Sequence, residues 1–417
     1  MTFSFKYPGV VILLATILFG CGSSRKSAGN LPQEEGAVPV LSFTKADADE
    51  TMPVSEPVGE REGSTMEFAT NLLRKAAQSE GLKDNLVVSP LSAGYALSLL
   101  LEGATGQTRE ELDDMLGGSF AGIEPYTDEK TIVTTASSVW LKDGIRILDS
   151  YEKAISEKFS AQVFTRDFAS RSTVQEINSW CSGHTAGRIP SIMGEIPRNS
   201  VMLLLNALYF KAPWAKPFDE DATIQDTFHA VTGDQANVSF MTRSARMNYM
   251  KGDTFGALSL DYDKRYSMLV VLPDQGKDLA SVVENLDAGT LSDVIDATSP
   301  RQVELRLPRF TVETDLDLNP TLVSMGMKAA FNGGFGNMTN APVAVSQVKQ
   351  KCFVKVNEEG AEAAAVTSIS MKLTSVARPE PPVRFFVDRP FVFAIYDRMT
   401  KDIYFEGCMV KIEDKNV

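Results

Sequence analysis

Apolar and polar side chains separate onto alternate positions in the segment 357–375, a pattern typical of a β-strand with one buried face. After Gly360 the odd-numbered positions are small or apolar, and the charges fall on even-numbered positions. The odd-numbered set is Ala361, Ala363, Ala365, Thr367, Ile369 and Met371, and the charged residues are Glu362 and Lys372. The proline-rich run 378–382 follows, and prolines cannot donate the hydrogen bonds of a sheet. We therefore predict a strand that is held outside its sheet and stores free energy.

Helical patterns come first in the chain, and strand patterns dominate its later part. Capping-box spacing at 64–67 predicts a first helix that ends at Gly81, and a second helix should occupy 90–101 and stop at Gly103. The same capping-box spacing at 108–111 predicts the start of a third helix. The predicted strands are 133–141, 201–210, 267–272, 303–307, 353–356, 391–396 and 403–405. Because strands and helices do not alternate strictly, the fold should be α+β with mostly antiparallel sheets.

Composition narrows the class of protein. The chain has 417 residues, of which 43% are hydrophobic, so it can bury a sizeable core in one large domain or in two or three average ones. Its formal net charge is −13. Contact with nucleic-acid phosphates needs clustered lysine and arginine, and no basic stripe is present, so we expect no nucleic-acid partner.

The N-terminus carries a processing signal rather than part of the fold. Lys6 precedes an apolar run at 10–19 that is too short to cross a bilayer about 30 Å thick as a helix. The sequence LFGC at 18–21 resembles the bacterial lipobox, which implies that Cys21 becomes lipidated; an ordinary secretory signal with an incidental cysteine is the alternative. We predict a signal peptide at 1–20, a polar tether at 21–63 and a folded domain at 64–417.

Enzyme chemistry finds no support in the residue patterns. The two histidines, His184 and His229, belong to no zinc-binding HExxH pair. The sequence GGSFA at 117–121 lacks the final glycine of a nucleophile elbow, and GGFG at 333–336 is better explained as a turn. The other cysteines have no metal-ligand spacing and should be small buried hydrophobes; they are Cys181, Cys352 and Cys408. We predict no catalytic residues, no metal and no cofactor.

Five segments in consistent order resemble one known family. They are NLVVSPLS at 85–92, LEGATGQTREEL at 101–112, NALYFKAPW at 206–214, FVKVNEEG at 353–360 and DRPFVF at 388–393 with FEG at 405–407. These motifs are similar to those of serpins, and the resemblance extends from about Thr65 to Glu413. It implies a serpin fold with three mostly antiparallel sheets, eight or nine helices and an exposed reactive-centre loop.

The resemblance implies a suicide inhibitor of serine proteases, with cysteine proteases as a further class of target. In that mechanism the protease cleaves the exposed loop and is trapped as an acyl-enzyme while the loop inserts into the main sheet, which adds a strand to the sheet and releases stored strain. The inhibitor should be a monomer. A non-inhibitory serpin acting as a surface binding or structural protein is the main alternative, and a peptide-binding lipoprotein or adhesin is a third.

Family spacing also places the functional segments of the loop. The hinge corresponds to Glu358, Glu359, Gly360, Ala361, Glu362, Ala363, Ala364 and Ala365, whose small residues suit rapid insertion. Cleavage is expected between Thr374 and Ser375, which leaves fourteen inserted residues and moves the protease by about 50 Å. Thr374 suits an elastase-like or subtilisin-like protease. The alternatives are the bond between Lys372 and Leu373, which suits a trypsin-like protease, and a cut at Arg378.

Other matches concern control of sheet opening. The resemblance implies that Arg309 forms a salt bridge with Glu358 and that Trp214 packs beneath it, in the region called the breach. Ser89, Ser92 and Asn206 match the polar cluster called the shutter. Gln350 stands where many serpins have a histidine, so the shutter should keep its hydrogen bonds and lack the pH sensitivity of an imidazole. Together with the lipobox, these features predict an inhibitor anchored in a bacterial cell envelope, on the outer membrane, at its surface or periplasmic face.

Overall fold

The computed structural model of the chain describes residues 62–118, 120, 121, 123, 125–361 and 381–413, which lie within the compact unit Pro57–Val417. Within these residues the chain forms eight α-helices and fifteen strands. The helices are α1 Glu62–Glu80, α2 Pro90–Gly103, α3 Gly106–Leu116, α4 Asp149–Phe159, α5 Arg171–His184, α6 Leu279–Asn285, α7 Ala288–Ala297 and α8 Asn319–Ser324. No helix in this part of the chain is long and apolar enough to cross a membrane.

After residue 200 the chain forms more strands than helices, as the strand patterns in its later part predict. They are β1 Leu86–Val88, β2 Ile132–Lys142, β3 Gln162–Arg166, β4 Met202–Pro213, β5 Ile224–His229, β6 Gln235–Lys251, β7 Phe255–Asp261, β8 Tyr266–Pro273, β9 Ser299–Pro308, β10 Phe310–Asp317, β11 Gln347–Val356, β12 Gly360–Ala361, β13 Val383–Phe386, β14 Phe391–Asp397 and β15 Ile403–Met409.

The strands form two hydrogen-bonded sheets. The nine-stranded sheet has the order β1-β15-β14-β8-β7-β6-β9-β13, with β5 also paired to β6, and the six-stranded sheet has the order β10-β11-β4-β2-β3, with β12 paired to β4. Among the described strands, only β2/β3, β4/β11 and β9/β13 pair in parallel. The three sheets expected from the sequence become two because the long strand β6 pairs with β5 and β9 and then, near its end, with β7.

Apolar side chains cover both faces of the six-stranded sheet. Along β4, Leu204 and Leu208 belong to the main core beneath α1 and α2, whereas Leu203 and Leu205 belong to a second core that includes Ile177 of α5. A strand buried on both faces needs a nearly continuous apolar sequence, and β4 departs from one chiefly at Asn206 and Lys211. The six-stranded sheet is therefore the middle layer of the molecule.

Both predicted capping boxes are wrong. Helix α1 begins at Glu62, two residues before the predicted cap, and α3 begins at Gly106. The side chains that suggested the second box make tertiary contacts instead. Thr108 Oγ1 donates to the Gly333 carbonyl at 2.9 Å, and the Glu111 carboxylate accepts the backbone N–H groups of Lys328 and Ala329, each at 2.7 Å. These contacts fix α3 against the segment 328–334.

Other local predictions are confirmed. Gly81 adopts a φ of +71° directly after α1, a conformation that favours glycine, and Ser89 caps α2 by accepting the N–H of Ser92. The cysteines are buried and free: Cys181, Cys352 and Cys408. Burial raises the pKa of the Cys181 and Cys352 thiols to about 12, so both are protonated and behave as small hydrophobes at neutral pH.

Glu406 of β15 is a carboxyl group buried in the core, only 2% exposed. Burial raises its pKa well above the value of about 4.5 found in an unfolded chain, and its Oε1 has no hydrogen-bond partner among the described residues. The stability that depends on the neutral carboxyl is therefore fully present below pH 4.5 and is lost as the pH rises through the folded-state pKa.

We expect Glu406→Gln to remove this pH dependence. Melting temperatures of the intact protein and the variant, measured from pH 4.5 to 8, should diverge in favour of the variant as the pH rises, because the wild-type loses up to about 1.4 kcal/mol per pH unit in this range. Other titrating groups are common to both proteins and cancel in the difference. A difference that stays constant with pH would contradict the assignment of a neutral Glu406.

Candidate functional site

Strands β4 and β11 lie side by side but pair over only part of their lengths. Gln347–Gln350 of β11 pair in parallel with Leu203–Asn206 of β4, and no pairing between the two strands continues beyond these residues in the described structure. On their other sides β11 pairs with β10 as far as Val356, and β4 pairs with β2 as far as Lys211. The facing edges at 351–356 and 207–213 therefore form an opening in the sheet, with backbone groups available to a further strand.

The chain turns back into this opening directly after β11. The Asn357 side chain accepts the N–H groups of Glu359 and Gly360 at 3.2 and 3.1 Å, which closes a tight turn. Gly360 has a φ of +148°, and a Cβ at this position would lie 2.2 Å from the Ala212 carbonyl oxygen. Glycine is required here because the backbone is left-handed and lies directly against β4.

The two residues of β12 occupy the first positions of the missing strand. Gly360 pairs with Pro213 and Ala361 pairs with Ala212, in antiparallel orientation. Ala361 is 2% exposed and belongs to the main core. The predicted strand thus begins inside the sheet rather than outside it. Cys21 lies outside the described residues. So do the remaining predicted residues of the hinge and reactive bond, which are Glu362, Ala363, Ala364, Ala365, Lys372, Leu373, Thr374 and Ser375.

The predicted salt bridge at the top of the opening is present. Arg309 Nε contacts Glu358 Oε1 at 2.6 Å, and the Glu358 side chain is buried. The Thr223 hydroxyl donates to the same carboxylate, and the N–H of Phe218 donates to the Glu358 carbonyl at 2.8 Å. A buried carboxylate is costly unless it is paired and hydrogen-bonded, and these contacts supply both.

Trp214 fastens the hinge to β4. Its backbone N–H donates to the Glu359 carbonyl and its Nε1 donates to the Asn357 carbonyl, each at 2.8 Å. The indole is buried and stacks on Tyr262, with ring centroids 4.2 Å apart and planes 5° apart. The tryptophan therefore lies beneath the hinge, as expected, and holds two carbonyl groups of the turn, those of Asn357 and Glu359.

Charged residues line the rim of the opening around Glu359. Partial burial raises the pKa of the Glu359 carboxyl, and the neighbouring carboxylates of Glu220 and Glu358 raise it further. Lys211 of β4 and Lys355 of β11, on the two edges of the opening, act in the opposite direction. Charges of both signs therefore surround the hinge. The ionisation of Glu359 depends on where the hinge lies relative to these charges.

The shutter residues lie at the closed end of the opening. Gln350 Oε1 accepts the N–H of Ser89 at 3.0 Å while its Nε2 donates to the Ser89 carbonyl at 2.9 Å. Ser89 Oγ donates to the Tyr404 carbonyl at 2.7 Å and accepts from Ser92. Asn206 instead forms a hydrogen bond with the neighbouring strand β2, where its Nδ2 donates to Ser137 Oγ at 2.7 Å. The amide of Gln350 therefore ties β11 to the start of α2.

Replacing Gln350 should loosen this end of the sheet. Gln350→Leu leaves the buried N–H of Ser89 without its acceptor, which costs about 1–3 kcal/mol and should lower the melting temperature of the intact protein. Gln350→His is the matched control, since an imidazole can also accept or donate a hydrogen bond. Equal melting temperatures for Gln350→Leu and the wild type would show that the amide contributes no stability.

Some residues of the site were missed by sequence reasoning. Thr223, Ser137 and Asn357 all bond residues of the hinge or shutter, and only Asn357 had a local signal, an Asn three residues before a Gly. The segment after α5 was also missed. Lys351 Nζ donates to the Ser191 carbonyl at 2.9 Å and contacts Glu313 at 2.6 Å, so this segment is fastened to β11 near the opening.

Comparison with known proteins identifies the family. The model of the family described as Serpin (serine protease inhibitor) matches residues 63–412. The chain belongs to the serpin family. An uncharacterized serpin-like protein of Thermococcus kodakarensis is 31% identical over 367 residues, which cover 83% of this chain and 84% of the relative. A serine protease inhibitor of Cyanea capillata is 32% identical over 354 residues, covering 78% of this chain and 92% of the relative.

Solved structures give the same result. The native state of the thermophilic serpin tengpin matches with a TM-score of 0.78 at 27% identity, covering 87% of this chain and 96% of that one. The α+β serpin fold predicted from the sequence is therefore confirmed. Serpins are generally protease inhibitors that act by conformational change, rather than enzymes.

Proposed function

We propose that this serpin is a suicide inhibitor of serine proteases, with cysteine proteases as further targets. The observation that carries the proposal is the opening between β4 and β11, with Gly360 and Ala361 already paired at its top. A strand that follows Ala361 can continue antiparallel to β4 without reversing direction. Cleavage of the reactive-centre loop would free one end of that strand to do so.

Insertion stabilises the cleaved chain through two contributions. The new strand gains ladder hydrogen bonds on both edges, and its odd-numbered side chains share the face of Ala361, which belongs to the main core. The intact chain is therefore a kinetically trapped state, and cleavage releases it. The protease is trapped only if insertion of the loop is faster than hydrolysis of the acyl bond. The small side chain of Ala361 favours fast insertion.

The proposed reactive bond joins Thr374 and Ser375. This choice gives fourteen residues after Gly360 for insertion and suits an elastase-like or subtilisin-like target. The bond between Lys372 and Leu373 would suit a trypsin-like target but would shorten the inserted strand by about 7 Å. Sequencing the N-terminus released on trapping decides between these bonds.

The test of the function is covalent trapping. The purified protein is incubated separately with elastase-, subtilisin- and trypsin-like serine proteases and with a papain-like cysteine protease, and the products are boiled in detergent. An inhibitor gives a complex that survives boiling, together with cleaved serpin. Cleavage without a complex by every protease would contradict the proposal and support a non-inhibitory surface-binding or structural role.

We also propose that lipid at Cys21 anchors a monomeric inhibitor to the bacterial cell envelope, at the outer membrane. Support comes from the lipobox-like sequence at 18–21 and from the polar composition that precedes the serpin domain. Expressed in a bacterium with labelled fatty acid, the protein should incorporate label and fractionate with membranes, and Cys21→Ser should do neither. Membrane association of the Cys21→Ser variant equal to that of wild type would contradict the anchor.

A further inference from the structure

Arg243 of β6 lies over the short loop that follows β4. Its guanidinium carbon stands 3.9 Å from the centre of the Phe218 ring, which is within the range of a cation–π contact. Its Nη2 also donates to the Lys216 carbonyl. These two contacts reach both ends of the segment 216–218, so Arg243 clamps this loop against β6.

No ion pair accounts for the position of Arg243. Arg306 on the neighbouring strand β9 contacts Asp226 at 2.7 Å, whereas Arg243 contacts no carboxylate among the described residues. Burial lowers the pKa of the Arg243 guanidinium to about 10, so the group remains charged at neutral pH. A half-buried charge without a counter-ion is costly, and only the ring and the carbonyl of the loop offset that cost. The loop therefore determines where this side chain lies.

The clamped loop in turn holds the hinge. The N–H of Phe218 donates to the Glu358 carbonyl, and the N–H of Trp214 donates to the Glu359 carbonyl, each at 2.8 Å. The rings of Phe218 and Trp214 also meet edge to face, with centroids 6.1 Å apart. A displacement of the loop would therefore move both donors away from the hinge. Arg243 acts on the hinge through this loop.

We propose that Arg243 is a positioning residue that, by clamping the loop 216–218, fixes the end of the hinge from which the inserted strand grows. The inference rests on the proposed function and adds a residue that determines how often cleavage ends in trapping. Glu358 and Glu359 precede β12, so their hydrogen bonds to the loop can persist while the strand lengthens along β4. With this end fixed, both pairs of β12 stay formed, and the new strand does not have to find its starting register again.

The first experiment measures how cleavage is divided between trapping and release. Arg243→Met keeps a long side chain and removes the charge, and it is compared with the wild type against a protease that the wild type traps. Cleaved and complexed serpin are quantified after boiling in detergent. We expect the loop to be cleaved at the same rate and the ratio of cleaved to complexed serpin to rise about fivefold, because insertion starts more slowly. Arg243→Lys keeps a cation over the ring and should give an intermediate ratio.

Two further variants separate the clamp from a general loss of charge. Arg246 lies on the opposite face of β6, where its Nη2 contacts the Pro300 carbonyl at 3.4 Å, so Arg246→Met removes the same charge without touching the loop. This control should leave the ratio unchanged. In a Phe218→Leu background, Arg243→Met should raise the ratio less than it does in the wild type, because the ring that the cation needs is gone.

Hydrogen exchange of the intact chain tests the clamp without a protease. The amides of Trp214 and Phe218 should exchange about fivefold faster in Arg243→Met than in the wild type, because they are the donors that the clamp holds on the hinge. The inference is overturned if both amides exchange at the wild-type rate, or if Arg246→Met raises the ratio of cleaved to complexed serpin equally. A wild type that traps no protease would instead overturn the proposed function, and hydrogen exchange would still decide whether Arg243 fixes the hinge.

Discussion

Ala361→Arg is expected to abolish covalent trapping of a target protease while the loop is still cleaved. Ala361 is buried against Ala212 at the top of the opening, and the strand can advance only if this position stays in the core. An arginine there would have to be desolvated without a partner, at a cost of several kcal/mol, so insertion would become slower than hydrolysis of the acyl bond. The variant should behave as a substrate.

Titration of the protease with this variant and an electrophoretic assay for the detergent-stable complex measure the effect. Ala361→Ser is the matched control, because a serine is small and uncharged and should retain trapping. The intact Ala361→Arg variant should also lose the two pairs of β12, since the arginine must leave the sheet. Inhibition by Ala361→Arg at the stoichiometry of the wild type would contradict insertion through the hinge.

Cleavage between Thr374 and Ser375 is expected to raise the melting temperature of the protein by about 15 °C. The thirteen residues 362–374 would extend β12 along β4, first filling the opening and then separating Leu203–Asn206 from Gln347–Gln350. Their new ladder hydrogen bonds and buried odd-numbered side chains would give a net gain of about 10 kcal/mol. Differential scanning calorimetry of the intact and cleaved chains measures the change.

The Ala361→Arg variant provides the control for the thermal measurement. After the same cleavage its melting temperature should stay close to that of its intact form, because its hinge cannot enter the core. A wild-type chain that melts at the same temperature before and after cleavage would mean that cleavage leads to no insertion.

Seven of the described strands and the first three helices could be predicted from the sequence, but the other strands and the later helices could not. Apolar runs identified β4, β8 and β14, because a strand covered on both faces has few polar positions. The long strand β6 was missed, since most of its residues are exposed or half-buried and no apolar pattern marks it. Helix α5 was missed for a similar reason, because it buries only Thr173, Ile177 and Cys181.

Contacts of the site could be predicted from the sequence where side chains of a family motif make them. Contacts that depend on the path of the backbone could not be predicted. The pair of Arg309 and Glu358 and the position of Trp214 followed from motifs, and the structure contains both. The pairing of Ala361 with Ala212 could not be foreseen, because it depends on where the turn after β11 places the chain. Among the described residues, the buried Oδ1 of Asn206 has no hydrogen-bond partner, and this too arises from tertiary packing, which local patterns do not encode.

Hydrogen exchange across the opening tests the central claim, that the intact chain lacks a strand between β4 and β11 which its own cleaved segment supplies. In the intact chain, amides of 351–356 and 207–211 that point into the opening should exchange quickly, because they have no ladder partner across it. Cleavage between Thr374 and Ser375 should slow their exchange by at least about a hundredfold. Equal exchange rates at these amides before and after cleavage would contradict the account.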